Sequence, residues 1–304
     1  ALFSQTGTSG DVYNTAVGYH AGRLITSGTH NTIFGANAGS GFDAESHNTF
    51  IGYTAGGASG AISSAVAVGS NAMNGATTAN ANGAVAIGLS ALNVLTTARR
   101  CTAVGFQSLD AMTTGDSGVG DSTAVGYGSL GATTGKSNTG FGMGAGDTIV
   151  AGSNNTCVGS ESNVDDADAV NQTVIGFQTT GVADNSVTLG NTSVIGVYHK
   201  STDPNIYMIN TTAGDGAGAR DSSINFKGTQ SGAEVTTLGK IEVSHDLTSD
   251  DQKGKMIFYT NDGNDGDSPT ARLTIDSDGS LYATNSIVYA NYFQSTTNNS
   301  SGYS

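Results

Sequence analysis

Tryptophan is missing from this 304-residue chain, and proline and cysteine occur twice each. No apolar run approaches the roughly 20 residues that a helical membrane span needs, so insertion into a membrane is not expected. Cys101 and Cys157 form no CxxC pattern and fall at different places in the repeat described below, which gives no support to a disulfide framework. Basic residues are few: 11 Lys and Arg stand against 25 Asp and Glu, for a net charge of −14. Residues 1–196 hold only Arg23, Arg99, Arg100 and Lys136. Phosphate binding needs clustered Lys and Arg, so nucleic acid is excluded as an expected partner. An acidic surface with few basic residues suits an extracellular protein. The chain opens at "ALFSQTGTSG" without a signal peptide, and is read as a mature product or a fragment. Large aliphatic and aromatic residues are scarce as well. A lone chain of this kind has little apolar area to set against its conformational entropy, so stacking of repeats or association of chains is expected.

What the sequence has instead is glycine, with 45 residues, and much Ser, Thr, Asn and Ala. That is roughly twice the usual glycine content of ~7 %. Regularly placed Val, Ile and Phe separate it from a disordered linker. The stretch "NTAVGYHAG" at 14–22 returns as "NTIFGANAG" at 31–39 and "NTFIGYTAG" at 48–56. Aligned on one glycine, the motif recurs at Gly18, Gly35, Gly52, Gly69, Gly88, Gly105, Gly126, Gly142, Gly159, Gly176 and Gly190. The steps are 17, 17, 17, 19, 17, 21, 16, 17, 17 and 14 residues, so insertions of two to four residues are absorbed in loops.

Counting from that glycine, position −1 is always apolar: Val17, Phe34, Ile51, Val68, Ile87, Val104, Val125, Phe141, Val158, Ile175 and Leu189. Position −3 is mostly Thr, and the two share one face of a short strand. So short a strand buries almost nothing alone. Stacked in register, the −1 residues become a continuous ridge, and they are expected to form the repeat core. The glycine is expected to permit a corner or close backbone approach that a Cβ would obstruct. The third residue after it is Ala or Ser in the first eight repeats, which predicts tight packing. Position −4 favours Asn (Asn14, Asn31, Asn48, Asn138, Asn155), read as a ladder of stacked amides at a corner. His30 and His47 share position −5 and are expected to lie one above the other. With no third ligand repeating, they read as a surface ladder more readily than as a metal or pH-sensing pair. Gly, Ser, Thr and Asn at this density are poor helix formers. The fold class is therefore all-β: a stacked parallel β-roll or β-solenoid, elongated, followed by a β-rich C-terminal segment.

With "NTAVGYHAG" and its successors, residues 11–196 resemble the repeats of phage tail fibres and the heads of trimeric autotransporter adhesins. The resemblance implies a parallel β-roll in which three chains associate about a common axis. The adhesin heads usually keep a shorter coil, and the mostly 17-residue step is closer to the phage fibres. At ~4.8 Å per stacked layer, eleven coils span about 50 Å.

Residues 1–10 read as an entry segment, 11–196 as the eleven-repeat roll and 197–304 as the C-terminal fibre domain. Seven of the eleven basic residues and both prolines lie in the last of these. Alternating runs such as "GKIEVSH" and "KMIFYTND" are separated by turn-rich stretches, as in antiparallel strands. "ARLTIDSDGSLYATNSIVYANYF" is similar to the segment that, in many phage fibres, leads into a C-terminal intramolecular chaperone. That chaperone assists trimer formation and then cuts itself off after a serine. The resemblance implies that Ser304 is such a cleaved end.

Candidate sites are few. Asp262, Asp265 and Asp267 in "NDGNDGD", and Asp276 and Asp278 in "DSDGS", carry oxygens suited to Ca²⁺. Neither stretch completes an EF-hand, and Asp-Gly turns of hairpins explain both. Asp165, Asp166 and Asp168 share one loop and offer paired carboxylates for glycan cleavage; an exposed acidic loop is the competing reading. No Ser, His or Asp stands in the local context of a nucleophile motif, so no catalytic residue is expected. Tyr19, Tyr53 and Tyr127 follow the repeat glycine and, if they point outward, offer flat faces to sugars. The expected function is structural and adhesive: a homotrimeric phage tail fibre on the virion, attached to other tail proteins and contacting a host glycan or protein receptor. A bacterial surface adhesin or extracellular filament is the first alternative, and a polysaccharide-degrading tailspike the second.

Overall fold

The computed structural model describes the chain apart from residues 7–9, 58–61, 76–81, 95–98, 113–119, 195, 199–205, 211–220, 230–234, 246–252, 264–266 and 285–304. The proposed chain end at Ser304 lies outside the described residues. Two compact units are present, Ala1–Tyr198 and His199–Ser304. Among the described residues every regular element is a β-strand.

The first unit is a parallel β-solenoid. Eleven three-residue strands pair in strict chain order: Thr15–Val17 (β1), Thr32–Phe34 (β2), Thr49–Ile51 (β3), Val66–Val68 (β4), Val85–Ile87 (β5), Thr102–Val104 (β6), Thr123–Val125 (β7), Thr139–Phe141 (β8), Thr156–Val158 (β9), Thr173–Ile175 (β10) and Val187–Leu189 (β11). Equivalent residues of successive repeats lie side by side, Thr15 beside Thr32 and Val17 beside Phe34, so the sequence period is the structural register.

The repeat glycines show why that register holds. Gly18 has φ +132 and Gly88 φ +136, backbone conformations closed to side chains. A Cβ on Gly18 would also lie 2.5 Å from the carbonyl oxygen of Gly35, and one on Gly52 the same distance from that of Gly69. The glycines stack backbone on backbone. Elsewhere the chain turns through left-handed residues such as His20, His30 and Asn154.

The corner asparagines do bind one coil to the next, but chiefly through backbone. Asn31 Oδ1 accepts from the Asn48 backbone N–H at 3.0 Å, while Asn31 Nδ2 donates to the Glu45 carbonyl at 2.9 Å. Asn48 repeats this with Ala65 and Ile62, and Asn155 with Gln172 and Ala169. Each amide thus satisfies two backbone groups of the following coil, which an amide-to-amide ladder would leave unpaired. Among the corner asparagines one direct amide contact is made, Asn155 Nδ2 to Asn138 Oδ1 at 3.3 Å.

The interior lies one residue earlier in the strand than the sequence reading placed it. Position −2 points inward: Ile33, Phe50, Ala67, Ala86, Ala103, Ala124, Cys157 and Val174 are buried. The −1 residues named above as the repeat core point outward instead. Val17, Phe34, Ile51, Ile87, Phe141, Ile175 and Leu189 are exposed, and Val68, Val104, Val125 and Val158 are half-buried. Both alternating positions are apolar, so a period of two could not say which faces in. The coil decides, because it closes around position −2 and fills its interior jointly from that position and from the corners.

Two positions share the remaining interior space. Ile33 and Phe50 fill it from position −2, and there the fourth residue after the repeat glycine is Gly39 or Gly56. From β4 to β7 the −2 residue is alanine, and Met73, Leu92, Leu109 and Leu130 fill the space from that fourth position. The eighth coil has glycine at both positions, Gly140 and Gly146, and Leu130 of the preceding coil takes the space: a Cβ would come within 2.9 Å of Leu130 Cγ at Gly140 and 2.6 Å of Leu130 Cδ2 at Gly146. The Ala or Ser at the third position is buried in every one of the first eight repeats, as expected from the sequence.

The second unit is a five-stranded antiparallel sheet in chain order, Ser222–Thr229 (β12), Val235–His245 (β13), Gly254–Thr260 (β14), Thr270–Ile275 (β15) and Leu281–Ala283 (β16). One face aligns Ile224, Ile241, Phe258 and Leu273, and beside them Val243, Met256, Ile275 and Leu281. On the other face Glu242 accepts from Lys240 at 2.6 Å and from the Tyr259 hydroxyl at 3.0 Å. Burial and that carboxylate push the Tyr259 phenol up to about 12.

Candidate functional site: the outer face of the coils

The −1 side chains project from the outer face of a parallel sheet, so they stack at one per coil. Thr at −3 flanks them on the same face. Phe34 and Phe141 are more than half exposed, at 57 % and 58 %. Eleven apolar side chains in one line, seven exposed and four half-buried, on a chain of net charge −14, make an apolar strip of the kind that marks an interaction surface.

Beside it runs a second column, the residue after each repeat glycine. Tyr19, Tyr53 and Tyr127 are exposed there, together with Leu89, Phe106, Met143 and Phe177. Sequence reading singled out only the tyrosines, although the same position carries other large apolar groups. Phe106 and Tyr127 stack across adjacent coils, with ring centroids 5.4 Å apart. His30 and His47 stack as their shared position predicts, at 4.8 Å, and Tyr13 continues the column 5.0 Å from His30.

The acidic candidates do not converge. Asp262 pairs with Arg272 at 3.1 Å, while Asp267 lies 3.6 Å from Lys227 and accepts from the Thr237 backbone N–H at 2.5 Å. Asp265 lies outside the described residues. Asp276 and Asp278 hold the turn between β15 and β16, where Asp278 accepts from the Ser280 N–H. That bond lowers the Asp278 carboxyl below its ordinary range. Asp165 accepts from Gln172, and Asp166 caps the Asp168 N–H at 3.0 Å. Among the described residues no three His, Cys, Asp or Glu side chains are grouped to hold a metal ion. Cys101 and Cys157 are buried free thiols, each pushed up to about 11 by desolvation.

The chain is a parallel β-solenoid repeat protein with a separate antiparallel sheet. It matches no protein-family model, and no curated protein is found similar to it.

Proposed function

We propose that this chain is one of three in a phage tail fibre that projects from the virion and contacts the host surface. The observation carrying this reading is the unpartnered apolar ladder from Val17 to Leu189 on the outside of the solenoid. A ladder at one residue per coil is matched by an identical ladder, so a copy of the same chain is its natural cover. The second unit supports the same reading. Its sheet has one apolar face, and among the described residues Ile224, Val243, Met256 and Leu281 on that face remain exposed. Rigid stacking gives the fibre reach, and three copies turn weak surface contacts into avidity. The mostly 17-residue coil favours the phage fibre over the adhesin head.

Light scattering during size exclusion tests the assembly. A mass of three chains that survives mild detergent is expected, and a mass of one chain overturns the proposal. Binding of the pure protein to intact host cells, blocked by excess unlabelled protein, tests adhesion.

A further inference from the structure

A hollow lies in the outer surface beside β7 and β8. The second residue after the repeat glycine carries a side chain in coils one to six, from His20 to Gln107, at φ 53–57. Gly128 and Gly144 take that position in the next two coils at φ 61 and 60, and Glu161 restores a side chain in the ninth. The backbone there does not demand glycine, since six other residue types or placements adopt it. Sterics do not demand it at Gly128 either, where a Cβ would meet nothing within 4 Å. What the two glycines produce is an open hollow of about 270 Å³, framed along the rod by Gln107 and Glu161.

Its walls are of two kinds. The Tyr127 ring, stacked on Phe106, and the Met143 side chain give an apolar flank. Asp110, Asp147, Glu161 and Gln107 bring hydrogen-bonding groups round the rim. Gln178 Nε2 holds Glu161 in place at 2.6 Å, and burial raises the Asp110 carboxyl above its ordinary range. These carboxylates are not grouped as metal ligands. Acceptors spread around an aromatic flank suit a ring whose hydroxyls point outward and whose C–H face is apolar. Three carboxylates disfavour an anionic ligand.

We propose that this hollow binds one neutral or amino hexose unit of a surface polysaccharide, with the sugar face against Tyr127 and its hydroxyls donating to Asp110, Asp147 and Glu161. This gives the adhesive reading above a ligand class and a place, and it rests on that reading only for the source of the sugar.

The test is saturation-transfer NMR on the full chain with D-glucose, D-galactose, D-glucosamine and D-glucuronic acid as separate probes. Transfer to at least one of the first three and none to glucuronic acid is expected. Gly128→Gln fills the hollow where a side chain has room, and should abolish transfer while circular dichroism and solution mass stay unchanged. Tyr127→Ala should weaken it at least tenfold. Absence of transfer to every hexose, equal transfer to glucuronic acid, or transfer that survives Gly128→Gln overturns the site. So does a signal that requires added Ca²⁺, which would make the hollow a cation site. A three-chain mass without hexose binding leaves the fibre standing and removes the site. A one-chain mass with hexose binding does the reverse.

Discussion

Phe50 and Gly56 occupy one space between them: a Cβ on Gly56 would lie 2.7 Å from two ring carbons of Phe50. Phe50 is buried at the centre of β3, and Gly56 follows at the corner of the same coil. Four coils invert this arrangement, with alanine in the strand and Met73, Leu92, Leu109 or Leu130 at the corner. Those residues share the φ of Gly56, at 49–52 against 57.

Exchange between the two solutions is therefore predicted. Phe50→Ala alone should cost about 3–5 kcal/mol through the cavity it leaves. Gly56→Leu alone should be destabilising through overpacking, by about 1–3 kcal/mol or more. The double variant should recover a large part of the summed loss, because it reproduces the packing of the β4–β7 coils. Denaturant unfolding at fixed protein concentration measures the coupling, and simple additivity would contradict it.

Asn48 should be intolerant of truncation. Asn48→Ala leaves the Ala65 N–H and the Ile62 carbonyl buried without their partner. Each unsatisfied group costs about 1–3 kcal/mol, so a drop in melting temperature larger than that of a surface substitution is expected. Asn48→Asp keeps the acceptor but places a carboxylate against the Ile62 carbonyl, and should be no better at neutral pH.

Charge on the outer ladder should separate assembly from folding. Phe34 and Phe141 contribute little to the interior of their own chain, as both are mostly exposed. Phe34→Asp with Phe141→Asp should leave the β-rich circular dichroism intact and reduce the solution mass from three chains to one. Loss of the dichroism itself would mean that the ladder is needed for the coils to form.

The two thiols should report unfolding. Cys101 and Cys157 are buried and held as neutral thiols up to about pH 11. A thiol reagent at pH 8 should label neither in the native protein and both in denaturant. An unfolded thiol ionises near 9, below the folded value, so the unfolded state loses protons first. Stability should therefore fall as pH rises from about 9 to 11. Cys101→Ala with Cys157→Ala should flatten that part of the profile.

Much of this architecture was legible in residue spacing alone. A glycine returning every 17 residues or so, preceded by an alternating triplet, fixes a stacked strand and its register, because insertions can only leave through loops. The need for glycine was legible too, although its cause, a backbone carbonyl 2.5 Å from the missing Cβ of Gly18, is tertiary. The asparagine column announced a corner, but its burial and the partners of Asn31 in the next coil, Asn48 N–H and the Glu45 carbonyl, are read only from the fold.

The sequence determined the period, the parallel register and the identity of the residues that share a face. It could not determine which face closes inward. Positions −1 and −2 are both apolar, and hydrophobicity alone favours the larger Val, Ile and Phe. The closed coil reverses that preference: position −2 and the corners close on one another, and in the β4–β7 coils alanine at −2 with Met or Leu from the corner fills the interior. The larger side chains at −1 are left on the surface. The hollow beside Tyr127 is of the same kind, since Gly128 and Gly144 gain meaning only when the coils stack and two vacant positions fall side by side.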